Sequence, residues 1–158
     1  MFHIGDQIAH PMHGAGIIDD IIEQLIDGKP RMYYVLKLSF SSMTLMIPCD
    51  LSTNIGMRDI IEAEVADELI SVFPGLDIED NQNWNKRYRE NMTKLKSGDL
   101  MQVCGVVKSL LLRDREKGLS TGERKLLTSA KQILISEVML AKDASYEEVE
   151  HMFEILFD

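Results

Sequence analysis

The sequence predicts an α+β chain: a small, strongly bent sheet or barrel of short strands over residues 1–55, followed by a five-helix domain over 59–158. Three observations carry this. Alternating and β-branched runs, with Met32-Tyr33-Tyr34-Val35-Leu36-Lys37-Leu38 the clearest, fall in the first third of the chain. From Asp59 the apolar spacing lengthens to that of helices. Short polar caps and glycines then cut the remainder into helical pieces.

Within the first part, Phe2 to Ala9 alternates around a Gly5-Asp6 bend, and His10-Pro11-Met12-His13-Gly14-Ala15-Gly16 is turn material. Ile17-Ile18 and Ile21-Ile22 follow. Asp27-Gly28-Lys29 signals a hairpin, because Asp-Gly supplies the positive φ that short hairpin loops need. Ser39 to Ser42 turns the chain into the strand Thr44-Leu45-Met46-Ile47-Pro48.

Asn54-Ile55-Gly56-Met57-Arg58 reads as a junction. From Asp59, the residues Ile60, Ile61, Val65, Leu69, Ile70 and Phe73 fit one amphipathic helix ending before Pro74-Gly75. After an acidic connector, Leu76 to Gln82, Asn83 can cap a second helix that stops at Ser97-Gly98. A third runs from about Asp99 to Lys117-Gly118. Ser120 and Glu123 have capping-box spacing, in which hydroxyl and carboxylate satisfy each other's backbone donors, and Ser145 with Glu148 repeats the device. The helix after Ser120 carries Leu126, Leu127, Ala130, Ile133, Leu134, Glu137 and Leu140, and the last helix carries Val149, Met152, Phe153 and Leu156.

The net charge of −9 argues at first against nucleic acid, but the charge is segregated. Residues 84–131 hold 12 Lys and Arg against 5 Asp and Glu, whereas residues 1–83 hold 4 against 14. The basic segment opens with the only tryptophan, in Asn83-Trp84-Asn85-Lys86-Arg87-Tyr88-Arg89. A flat apolar ring flanked by cations suits nucleic acid. Yet Trp84, Tyr88, Met92 and Leu95 share one helical face, and an aromatic heading such a stripe normally packs into a core. Arg124 and Lys125 stand in the first turn of their helix, against its dipole, which fits either an external anion such as phosphate or cations that simply solubilise an exposed face.

Other chemistry finds little footing. His10-x-x-His13 lacks further ligands at metal spacing. Gly14-Ala15-Gly16 is followed by a strand rather than a helix, unlike a dinucleotide fingerprint. Asp19-Asp20 lies in a solvated run. Cys49 and Cys104 stand apart and are expected to be reduced. No run of about 18 apolar residues exists and the N-terminus has no leader pattern, so a cytoplasmic, non-enzymatic protein is expected, with no cofactor, metal, membrane partner or small-molecule substrate.

Across essentially its whole length the chain resembles the CarD/CdnL family of bacterial RNA polymerase-binding transcription regulators. The resemblance rests on Gly5-Asp6, His10-Pro11-Met12-His13-Gly14-Ala15-Gly16, Tyr34-Val35-Leu36-Lys37, Ile47-Pro48 and Gly56-Met57-Arg58-Asp59. Its most specific blocks are Asn83 to Tyr88, Leu95-Lys96-Ser97-Gly98-Asp99, and Arg113 to Ser120 with Gly122-Glu123-Arg124. It implies a Tudor-like N-terminal β module docking on the polymerase β subunit, and a helical domain touching promoter DNA without strong sequence specificity. By resemblance, Trp84 is exposed and wedges into the minor groove at the upstream edge of the transcription bubble, stabilising the open complex. Lys86, Arg87, Arg89, Arg124 and Lys125 would hold phosphates. Docking would use Gln24 and the strand residues Thr44, Leu45, Met46 and Ile47. Where family members carry cations, this chain has Met46 and Gln24, so its docking should be more apolar and less salt-sensitive. The alternative is a protein-interaction module that binds polymerase or another partner without meaningful DNA contact. A sequence-specific repressor, needing a base-reading helix, is the weaker third.

Overall fold

The turn at Asp27-Gly28 sets the frame of the N-terminal half. Both residues have positive φ, 51° and 77°, the mirror-image geometry whose twist matches that of paired strands. In a computed structural model, which describes residues 1–78 and 81–157 except for the side chains of 154–157, this turn joins the two longest strands, β2 (Gly14–Ile26) and β3 (Lys29–Leu38). With β1 (Gln7–His10), β4 (Thr44–Pro48) and β5 (Arg58–Asp59) they form an antiparallel sheet in the order β4-β3-β2-β1-β5. The pairing of β2 with β3 shifts between Ile18 and Asp20, a bulge that bends the sheet. Ile8, Ile18, Tyr34, Leu36, Leu38 and Ile47 turn inward and close over Met57. Each such fully buried side chain stabilises the fold by about 1.5–3 kcal/mol.

The expected helix from Asp59 is displaced. Arg58 and Asp59 pair with Ala9 and Ile8 as β5, the Ile60 N–H donates to the Gln7 carbonyl at 3.3 Å, and the helix begins only at Ala63. The β-branched pair Ile60-Ile61 sits comfortably in extended backbone, and a free sheet edge supplies the partners. A four-residue helix, α1 (Ser52–Ile55), closes on Gly56 at φ 98° and was not legible.

Five helices follow: α2 (Ala63–Val72), α3 (Trp84–Lys96), α4 (Leu100–Glu116), α5 (Thr121–Lys142) and α6 (Tyr146–Phe157). Asn83, Asp99 and Ser120 cap α3, α4 and α5 with side-chain acceptors. At α6 the capping box is reciprocal: the Glu148 N–H donates to Ser145 Oγ at 3.1 Å and the Ser145 N–H to Glu148 Oε1 at 3.3 Å. Val149 and Phe153 point inward as expected, Phe153 edge-on to Phe73 at 5.2 Å; Met152 is half-buried, and the Leu156 side chain lies outside the described residues. Cys104 is buried and its thiol pushed up to about 12 by burial, with Asp99 adding; Cys49 is half-buried. None of the described helices is long and apolar enough to cross a membrane.

Residues 133–138 of α5 are buried without a break, the mark of a helix covered on all sides. Helices cover one side and the sheet covers the other. The Ala15 N–H donates to Ser136 Oγ at 2.8 Å, and Ser39 Oγ donates to the Ser136 carbonyl at 3.1 Å. Gly14 has φ 95°, and a Cβ there would stand 2.5 Å from Ser136 Oγ. Glycine is needed at this seam for both reasons.

His10 closes β1 beside the seam, 8% exposed. Its Nδ1 accepts from the Met12 N–H at 3.1 Å. Burial lowers its pKa to about 4, and His13 opposes its charge as well. The folded protein therefore keeps His10 neutral where the unfolded chain, titrating near the ordinary 6.5, takes up a proton. This stabilisation is complete above that value and is lost as pH falls toward 4, on the order of 2–3 kcal/mol in all. His10→Asn keeps an acceptor for the Met12 N–H but does not titrate. Urea unfolding at pH 7 and 4.5 should show the variant losing less stability than wild type by about this amount; equal losses refute it.

Candidate nucleic-acid interface

Trp84 is the first residue of α3. Its cap, Asn83, accepts the Lys86 N–H at 3.1 Å, and this start of α3 is held against the start of α5. There, Ser120 Oγ accepts the Glu123 N–H at 3.2 Å and also the Trp84 indole N–H at 3.2 Å. The indole stacks on Tyr88 with centroids 5.0 Å apart and planes 13° from parallel. Gly122 lies alongside, where an added methyl would just touch the ring at 3.6 Å. The ring is thus fixed by two helices, yet it remains 42% exposed. Down the same stripe Tyr88 and Met92 are half-buried and Leu95 is buried. The helical spacing is real, but the stripe climbs out of the core toward its N-terminal end.

Arg87 departs from its expected role. It is 5% exposed and is locked into a fork with Glu123: Nε to Oε2 at 2.9 Å and Nη2 to Oε1 at 3.2 Å. Nη1 donates to the Asn81 carbonyl at 2.9 Å. The guanidinium faces a carboxylate and not solvent, so it braces the Trp84 seat from behind. The sequence put Glu123 in a capping box with Ser120. The serine half of that box forms, but the carboxylate is drawn to Arg87, because a bidentate charged bond outweighs one neutral cap bond. Burial alone would push the Glu123 carboxyl up, but hydrogen bonding and charge from Arg87, with Arg113 and Ser120 adding, hold it below the usual carboxylate range.

The other expected cations lie outside. Lys86 and Arg89 on α3, and Arg124 and Lys125 on α5, are all exposed. The Arg89 Nε makes only a long bond to the Asn85 carbonyl at 3.4 Å, and Arg124 Nη2 stands 3.8 Å from Asp114 with its side chain 62% exposed. Two helix N-termini, each carrying a partial positive charge, meet at the ring among these cations. An apolar plate and an anion-binding surround therefore share one face.

The sheet presents the second expected surface. β4 is an edge strand, and along it Thr44 and Met46 are exposed while Leu45 is half-buried and Ile47 is 4% exposed. Ile47 pairs with Tyr34 and belongs to the core, and Leu45 packs against that core. Their side chains therefore face away from any docked partner, and they offer backbone groups only. Met46 lies opposite Val35, Val35 opposite Asp20, and Gln24 opposite Arg31. Strand parity puts Met46, Val35, Tyr33, Arg31 and Gln24 on one outer face. Arg31 is tied there, 3.2 Å from Asp50 and above the Tyr33 ring at 5.8 Å.

Comparison with known proteins matches two stretches of the chain. The family described as "CarD-like/TRCF RID domain" matches residues 2–61, and "CarD, C-terminal domain" matches residues 68–154. The chain is 34% identical over 149 residues, 94% of its length and 97% of that protein's, to YdeB of Bacillus subtilis (strain 168), a candidate transcription factor by name.

Residues that sequence reasoning missed are the supports: Tyr88 beneath the indole, Ser120 and Gly122 beside it, Glu123 behind it. Ser120 and Glu123 were visible as a cap, but nothing local points to their partners 36 residues earlier. Glu123→Ala would leave the buried Arg87 charge without its carboxylate and should destabilise by about 3 kcal/mol, whereas Arg124→Ala should change stability by under about 0.5 kcal/mol. Urea unfolding followed by the fluorescence of Trp84 measures both. Equal, small effects would mean that the Arg87–Glu123 pair does not hold the seat.

Proposed function

The chain belongs to the CarD family of transcription regulators, and on that premise we propose that it bridges RNA polymerase and promoter DNA, binding the polymerase β subunit through the β4 edge and its outer sheet face, and the upstream fork of the bubble through Trp84. One observation carries this reading: Trp84 is braced on Tyr88 and Ser120 and still exposed, among outward cations at two helix N-termini. A large apolar ring held rigidly in water has lost its rotamer entropy beforehand, and minor-groove proteins use such apolar wedges at distorted base steps. Lys86, Arg89, Arg124 and Lys125 supply the phosphate contacts that fix register without reading sequence. Arg87 contributes through the seat, not through a phosphate.

No bond is made or broken in this role, and no residue acts as acid, base or nucleophile. A contact favouring the open over the closed complex by 1.4 kcal/mol shifts their ratio about tenfold. At the sheet, Met46 and Val35 offer apolar area where a charged contact would be salt-sensitive, and the unpaired edge of β4 can accept a strand from the partner.

The test is the lifetime of purified polymerase–promoter open complexes with wild type, Trp84→Ala and Met46→Glu. Both variants should lose the lifetime gain, with polymerase binding lost only in Met46→Glu. Lys86→Ala and Arg124→Ala should each lower the salt slope of fork-DNA binding by about one. A wild type without effect on lifetime overturns the reading in favour of an interaction module that makes no functional DNA contact.

A further inference from the structure

The two surfaces lie on different halves of the chain, and one helix spans between them. The start of α5, with Ser120, Gly122 and Glu123, seats Trp84. Its middle, at Ser136 and Glu137, grips the sheet. The 14 residues from Glu123 to Glu137 make a strut of about 21 Å at the helical rise.

The grip is a cluster of polar bonds around a buried carboxylate. Glu137 is 1% exposed, and its carboxylate takes Arg58 Nη1 at 2.7 Å, Arg58 Nη2 at 2.9 Å and the Ile61 N–H at 2.8 Å. Arg58 belongs by backbone to β5, paired with Ala9 of β1, so its side chain staples sheet to helix. Its Nε also reaches the Gly98 carbonyl at 3.4 Å, at the joint between α3 and α4. One residue earlier on α5, Ser136 takes the Ala15 N–H. Such bonds are directional: each fixes an angle as well as a distance, which apolar packing alone leaves free to slide.

Resting on the bridging function above, we propose that Arg58, Ser136 and Glu137 are positioning residues for open-complex stabilisation. They touch neither polymerase nor DNA. They set the distance and angle between the docking face of the sheet and Trp84, so that a protein docked through one surface presents the ring at the fork. A clasp of this kind raises the effective concentration of the wedge at its step; loosened, the same two surfaces bind their targets singly and lose the advantage of acting together.

Glu137→Gln puts an amide N–H2 opposite one of the Arg58 N–H groups and removes the charge that holds the fork. Ser136→Ala removes a single seam bond and is the milder companion if Glu137→Gln fails to fold. Five readouts are needed on the full chain: circular dichroism, binding to free polymerase, binding to a forked DNA duplex, open-complex lifetime and small-angle scattering. Small-angle scattering follows the spread of the two halves. The expected result is binary affinities within about twofold of wild type, a broader interdomain distribution, and an open-complex lifetime reduced roughly tenfold by Glu137→Gln and severalfold by Ser136→Ala. A merely structural role would weaken all binding in step with lost fold. Full lifetime in a folded variant whose halves have loosened overturns the proposal. A wild type that never lengthens lifetime overturns the bridging function itself, which is a separate outcome.

Discussion

Everything else in the molecule is arranged around a carboxylate taken out of water. Glu137 sits at the meeting of β5, the start of the α2 segment and α5, and only a fork of guanidinium N–H groups plus one backbone N–H makes its burial tolerable. An ion pair with a buried acid and a half-exposed arginine is weak evidence for stability, since apolar residues of equal volume often do as well. Its effect is on arrangement. Arg58 cannot reach Glu137 unless β5 is paired with β1, and β5 cannot pair unless the chain leaves the sheet extended rather than helical. The seam therefore explains why Ile60 and Ile61 lie outside α2.

A second buried pair repeats the logic at the other end of α5. Arg87 and Glu123 fasten α3 to α5, and the ring of Trp84 rests above the joint. Both acids are on one helix and both cations come from elements far away in sequence. α5 thus acts as the common reference for two surfaces, exposed along one side after Glu123 and buried without a break over residues 133–138. Both joints of α5 are fastened by a buried acid.

Much of this was legible in the sequence, and what failed did so for one reason. Signals closed within a few residues were read correctly: the Asp27-Gly28 turn, the caps at Asn83 and Ser120, and the glycine stops at Gly98 and Gly118, both at positive φ. Signals needing a distant partner were not. Ile60-Ile61 fits a helical period, and only the edge of β1 decides otherwise. Arg87 stands among cations and looks like one more of them; the carboxylate that buries it is 36 residues away. Glu137 was grouped with the apolar residues of α5 without a reason for its burial, and its partner Arg58 read as part of a junction. Ile47 was grouped with its strand neighbours, though alternation alone could have turned it inward.

The exposure of Trp84 marks the boundary between those two kinds of signal. Helical spacing placed it at the head of a buried stripe, and the stripe exists; the resemblance placed it in solvent, and it is there. Both hold because the stripe rises through Tyr88 and Met92 out of the core. A tryptophan at such an end keeps the stacking and the hydrogen bond that fix its orientation while leaving one face uncovered. The uncovered apolar face costs little in the folded chain, since exposed apolar surface is common. A ring fully buried would be stable and inert, and one without Tyr88 and Ser120 beside it would lose rotational freedom at the moment of contact. The observed arrangement places that ordering cost in folding, where the buried Arg87–Glu123 pair and the α5 core already fix the backbone, leaving the free energy of any later contact to the contact itself.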